Sequence, residues 1–183
     1  LIHLGNVEIR LGNFSAGNER FEKAVAISEQ EGMNRNIIQA TNALGWGTRL
    51  IGRFDEAARL YQTAWERSLQ IKNRTGHDLV QEGWILNNLA YVHAHRRRVR
   101  TALSLCDKAK AIWLELGNDQ GLGALYEVYA EAYANDKQEA KALTYYQKAL
   151  EIFEPRQDLE WMSRMYIEQA RAHWLLDDYE AAG

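Results

Sequence analysis

LGWGTRLIGRFDEAARLYQTA, residues 44–64, has the apolar spacing of two helices around a break, yet it places glycine at 45, 47 and 52. A glycine inside a helix costs about 1 kcal/mol relative to alanine, so packing or geometry must require these. An interval of about 40 residues supplies the requirement. Gly5, Gly45, Ala90, Ala130 and Ala170 are separated by 40, 45, 40 and 40 residues, and all are small. Twelve residues beyond each stand Gly17, Ala57, Ala102, Ala142 and Ala182; nineteen beyond the first four stand Ala24, Ala64, Ala109 and Ala149. Larger side chains fill the columns between, with Phe21, Tyr61, Cys106 and Tyr146 in one and Phe14, Phe54, Val99, Glu139 and Tyr179 in another.

Apolar residues recur at i, i+3, i+4 and i+7 on both sides of a short break near Gly12, Gly52, Arg97, Lys137 and Asp177, which predicts two helices per repeat. The helices are expected at about 1–11, 15–31, 35–51, 54–71, 79–96, 99–116, 119–134, 137–153, 158–176 and from 179 onward. Small residues on facing helices let two backbones approach while a neighbouring aromatic fills the gap, which accounts for Gly45. Gly52 suits a helix C-terminus, and Asp55 and Glu56 suit the first turn of the helix after it. Gly47 lies outside the columns, and the sequence offers it no packing partner.

The pattern of Leu44, Gly45, Gly52, Phe54, Ala57, Tyr61 and Ala64 resembles the tetratricopeptide repeat, in a long variety with a period of 40 that is similar to the repeats of kinesin light chain, cell-polarity adaptors and bacterial signal-transducing NTPase regulators. The resemblance implies an all-α, right-handed solenoid of antiparallel helix hairpins. One repeat domain is expected over 1–183, with repeats at about 1–34, 35–74, 79–117, 118–156 and an incomplete 157–183. Departures are Arg97, Lys137 and Asp177 at the turn, Cys106 for an aromatic, Glu139 for a large apolar residue, and five extra residues around KNRTGHDL (72–79). Both end repeats look cut, so exposed apolar ends and end-to-end self-association are expected.

The resemblance further implies that one face of each first helix lines a concave groove for a partner. That face carries Asn6, Ile9 and Arg10, then Asn42, Trp46 and Arg49, then Trp84, Asn87, Asn88, Tyr91 and His95, then Glu127 and Glu131, then Arg171 and Trp174. It is rich in amides and aromatics where a plain solvated face would be Lys, Glu and Gln. Asn can pair with an extended backbone of any sequence, and Trp and Arg are enriched at binding hot spots. Trp46, Trp84 and Trp174 could equally wedge between adjacent helices as core. Family members that grip a C-terminal carboxylate use Lys, Asn and Arg at set positions of this face, and no register of this chain supplies the cations.

Other chemistry is weaker. A net charge of −3 with signs interspersed gives no field for nucleic acid or anionic membrane. HRRRVR (95–100) puts Arg96, Arg97, Arg98 and Arg100 on a basic rim at a turn, without the aromatic interleaving of a nucleic-acid platform. His93 and His95 are two apart on a helix and point in different directions, so no metal site is expected, and no cofactor. One cysteine, Cys106, in a packing column, reads as a buried small residue, and with no signal-like start or long apolar run the expected location is the cytoplasm. No catalytic motif is present, so the expectation is a protein- or peptide-binding scaffold, not an enzyme. The alternative is a ligand- or partner-sensing segment of a larger bacterial-type transcriptional or NTPase regulator.

Overall fold

The computed structural model describes residues 1–182, with side chains as far as Leu176. The described residues form nine α-helices and no strand: α1 (Ile2–Arg10), α2 (Phe14–Gln30), α3 (Asn34–Leu50), α4 (Phe54–Ser68), α5 (Gly76–His95), α6 (Val99–Glu115), α7 (Asp119–Asn135), α8 (Glu139–Phe153) and α9 (Leu159–Ala182), with a 3-10 turn at Glu154–Arg156. They gather into two compact units, 1–92 and 93–183, which divide in the last turn of α5. Within the first unit α1 packs on α2, α2 on α3 and α3 on α4; within the second α6 packs on α7, α7 on α8 and α8 on α9.

The small columns are the seams of this packing. Ala57, Ala64, Ala102, Ala109, Ala142 and Ala149 are fully buried. The Tyr61 ring lies 2.7 Å from where a Cβ on Gly45 would sit, and the ring of Phe21 closes over Gly5 in the same way. In the second unit Ala130 and Tyr146 occupy the corresponding places in one apolar cluster with Leu150, Phe153 and Met165. Gly47 also has a partner: a Cβ there would run into the Asn18 side chain of α2 and lie 3.3 Å from Ile9 Cδ1 of α1. It is one of the contacts of the second hairpin with the first. The same contact corrects Ile9, expected on the groove face: it is 4% exposed and packs over Gly17.

Each turn inside a hairpin ends on a left-handed residue. Gly52 has φ +80°, and Arg97 and Lys137 at the equivalent places have φ +54° and +59°. At the first of these the Gly52 N–H donates to the Arg49 carbonyl at 2.9 Å and the Arg53 N–H to Thr48 at 3.2 Å, closing the helix end. Two boundaries differ from the sequence reading. First, α5 begins at Gly76 instead of about 79, because Thr75 and Asp78 form a reciprocal cap: the Asp78 N–H donates to Thr75 Oγ1 at 3.3 Å and the Thr75 N–H to Asp78 Oδ2 at 2.8 Å. Second, no turn interrupts the chain near Asp177. There α9 continues to Ala182, with Leu175 and Leu176 extending the helical pattern. The side chains of Asp177, Asp178, Tyr179 and Ala182, and all of Gly183, lie outside the described residues.

Candidate functional site

In the first unit the predicted face is built by α3 and α5. The Asn88 amide donates to Asn42 Oδ1 at 3.2 Å, joining the two helices. One turn further along, the Arg49 guanidinium sits 4.5 Å over the Tyr91 ring, a cation–π contact. Arg49 Nε and the Tyr61 hydroxyl are both buried here, close enough that the Arg49 guanidinium acts on the hydroxyl. Burial pushes the Tyr61 hydroxyl up from its ordinary value, and the nearby Arg49 charge only partly opposes this. Trp46 and Trp84 are half-buried. Asn87 is 3% exposed, so of the expected amides it is the one closed to a partner; it belongs to the packing of α5.

Polar side chains also tie the helices at one end of this unit. Arg35 on α3 donates through Nε and Nη2 to the two oxygens of Asp78, at 2.7 and 3.1 Å. This pair, with the Thr75 backbone bond, holds the Asp78 carboxyl well below the usual carboxylate range. Trp65 Nε1 donates to Glu82 at 3.1 Å, and Arg74 pairs with the same carboxylate. The five extra residues before α5 therefore supply its cap and one of its cross-links.

In the second unit His95, Glu131 and Arg171 meet at a cavity of about 140 Å³ that Glu139, Tyr146, Glu168 and Leu175 also line. His95 Nε2 lies 3.8 Å from Glu131 Oε2, and Tyr146 donates to Glu131 Oε1 at 3.4 Å. Burial and then the Glu168 charge push the Glu131 carboxyl up, and Tyr146, Arg171 and Arg164 only partly offset them. Arg171 pairs with Glu168 at 3.4 Å, and Arg164 with Glu127 at 2.6 Å. Trp174 is 65% exposed and is not part of the cavity. Glu139 and Tyr146 escaped the sequence reading as site residues, although a carboxylate in the column of Phe14, Phe54 and Val99 was the signal.

The remaining candidates have structural places. Arg97 is the left-handed turn residue, Arg98 the residue before α6, and Arg100 lies in its first turn. Arg96 and Arg98 lower the affinity of the half-buried His93 for a proton, after burial itself. Cys106 is fully buried, and burial pushes its thiol up, away from a reactive thiolate. No helix among the described residues is long and apolar enough to cross a membrane.

Residues 81–154 match the family model described as tetratricopeptide repeat. No curated protein sequence matches the chain. Solved structures with the same fold include the apo form of RapI, at 14% identity and a TM-score of 0.71 over 97% of this chain and 48% of that one. BtubC (BKLC) from P. vanneervenii matches at 20% identity and a TM-score of 0.66, over 90% of this chain and 66% of its own. The TPR-like repeats of a kinesin light chain-type protein from Podosopora anserina match at 18% and 0.69, over 98% and 86%. The chain thus spans about half the length of RapI. Its fold is that of the tetratricopeptide-like helical repeat proteins, and the match to the repeat's family model covers residues 81–154. Such repeats generally serve as protein–protein interaction modules.

Proposed function

We propose that the chain is a protein–protein interaction module that holds an extended segment of a partner in the concave groove that repeats of this kind present. The observation that carries this reading is the Asn42–Asn88 pair. Once Asn88 Nδ2 has donated to Asn42 Oδ1, the Asn42 amide hydrogens and the Asn88 carbonyl oxygen have no protein partner among the described residues. One donor and one acceptor on a half-exposed face are what a peptide unit of any sequence needs. Trp46, Trp84 and the Arg49–Tyr91 pair beside them supply flat, amphipathic contact area. On the second unit the corresponding helix faces offer Glu127, Glu131, Arg171 and Trp174.

The test is a pull-down from native lysate with the chain as bait, beside a Trp46→Ala, Asn88→Ala, Tyr91→Ala variant whose helicity is confirmed by circular dichroism. A protein retained by the wild type and lost with the variant, with its affinity reduced at least tenfold when titrated, supports the groove. Equal retention of that protein by both baits removes it.

A further inference from the structure

The cavity of the second unit has a charge imbalance that its own residues do not resolve. Glu131, Glu139 and Glu168 line it, against the guanidinium of Arg171, which is already engaged by Glu168, and the imidazole of His95, 3.8 Å from Glu131. Glu139 is 5% exposed, and its carboxylate makes no hydrogen bond or ion pair among the described residues. It is the first residue of α8, where the positive end of the helix favours a carboxylate. That field favours the charge yet supplies no partner for the oxygens, which keep access to the cavity and leave an acceptor there for a cation. The space is real: about 140 Å³, against the ~15 Å³ that one water needs. Ala172 and Leu175 give one wall apolar surface beside the acidic one.

We propose that this cavity receives a cationic side chain of the partner segment, an arginine or lysine, its charged head on Glu139 and Glu131 and its methylene stem against Leu175. The inference rests on the peptide-binding reading above and gives it a specificity. An arginine fork suits two carboxylates, and a long side chain lays its stem on apolar surface while its head finds the charge. Among the described residues no three His, Cys, Asp or Glu side chains converge to hold a metal ion, so an organic cation is the occupant that the donor set fits. The elevated Glu131 carboxyl agrees with this, because a cation beside it would relieve the repulsion it shares with Glu168.

The experiment is an NMR titration of the whole ¹⁵N-labelled chain with five probes: N-acetyl-arginine amide, its uncharged isostere N-acetyl-citrulline amide, spermidine, and two degenerate octapeptide mixtures with arginine or citrulline fixed at one central position. Saturable shifts at the amides of Glu131, Glu139 and Glu168 are expected with arginine amide and none with citrulline. The arginine octapeptides should bind at least tenfold tighter than the citrulline set, and Glu139→Gln should abolish that preference while leaving the fold unchanged. Glu168→Gln should weaken it as well. Equal binding of both octapeptide sets at Asn42 and Asn88 would leave the groove standing and overturn the cation site. Saturable arginine amide binding with no octapeptide response at Asn42 and Asn88 would overturn the groove and keep the cation site. Spermidine binding tighter than the arginine octapeptides would overturn the assignment to a partner side chain in favour of a free polyamine.

Discussion

At the scale of single residues, three glycines of one helical hairpin answer to three different demands, and each predicts a different response to alanine. Gly45 meets the ring of Tyr61, which is fully buried with nowhere to retreat. A methyl there must displace the ring, and overpacking of that kind outweighs the gain in helix propensity, so Gly45→Ala should lose roughly 1–2 kcal/mol in urea unfolding. Gly47 meets the end of the Asn18 side chain, whose Oδ1 is buried without a partner. That group can swing outward, so Gly47→Ala should stay within about 0.5 kcal/mol of the wild type. Gly52 requires a left-handed backbone, and Lys137 holds the same conformation without being glycine. Lys137→Gly should therefore stabilise by roughly 0.5–1 kcal/mol, the relief of left-handed strain exceeding the added freedom of the unfolded chain. Gly45 and Gly52 were legible in the sequence because their demands recur every 40 residues. Gly47 was not, because its partner sits on another hairpin and the pair occurs once.

At the scale of elements, the ends of helices decide what the periodicity leaves open. The Thr75–Asp78 cap starts α5, and Arg35 fixes that start to α3. Asp78→Asn should lose roughly 1–3 kcal/mol at neutral pH, as a half-broken charged network does. The pH dependence has a definite sign. The folded state holds the Asp78 carboxyl below its unfolded value, so its contribution is present above about pH 4 and is lost as the pH falls below that. The urea-unfolding difference between wild type and Asp78→Asn should accordingly hold from pH 7 to about 4 and begin to shrink below that. Glu131 behaves oppositely: its carboxyl is raised, so the folded state binds the extra proton and ionisation above the acid range weakens the fold. Glu131→Gln should gain on the wild type as the pH rises toward neutrality, and the two should converge in acid. The spacing T-x-x-D at 75–78 was a readable start signal that the repeat register overrode, shifting α5 by three residues. The stack of Tyr129 and Tyr133 on Tyr145, at 4.8 and 5.4 Å, was unreadable for another reason: i, i+3 and i+7 spacing shows that residues share a face without naming what that face meets.

At the scale of the whole molecule, the repeat register identifies surface that one hairpin normally covers on the next. Leu1 and Val7 of the first repeat correspond, forty residues on, to Thr41 and Gly47. Both of these are buried, and Gly47 is closed off by Asn18 of the preceding hairpin. In the first repeat the equivalent positions are open, Leu1 47% exposed and Val7 53%, and Leu4 between them is 54% exposed. Association of the chain as given would follow if a second copy covered this stripe with the surface that its own hairpins present to one another. Sedimentation equilibrium should then show reversible association that strengthens with concentration, and Leu4→Lys with Val7→Lys should return the chain to a monomer with unchanged helicity. A monomeric mass for the unaltered chain at several hundred micromolar would mean that α1 tolerates water as it stands. A complex of the double variant as strong as the wild type's would place the contact elsewhere on the molecule.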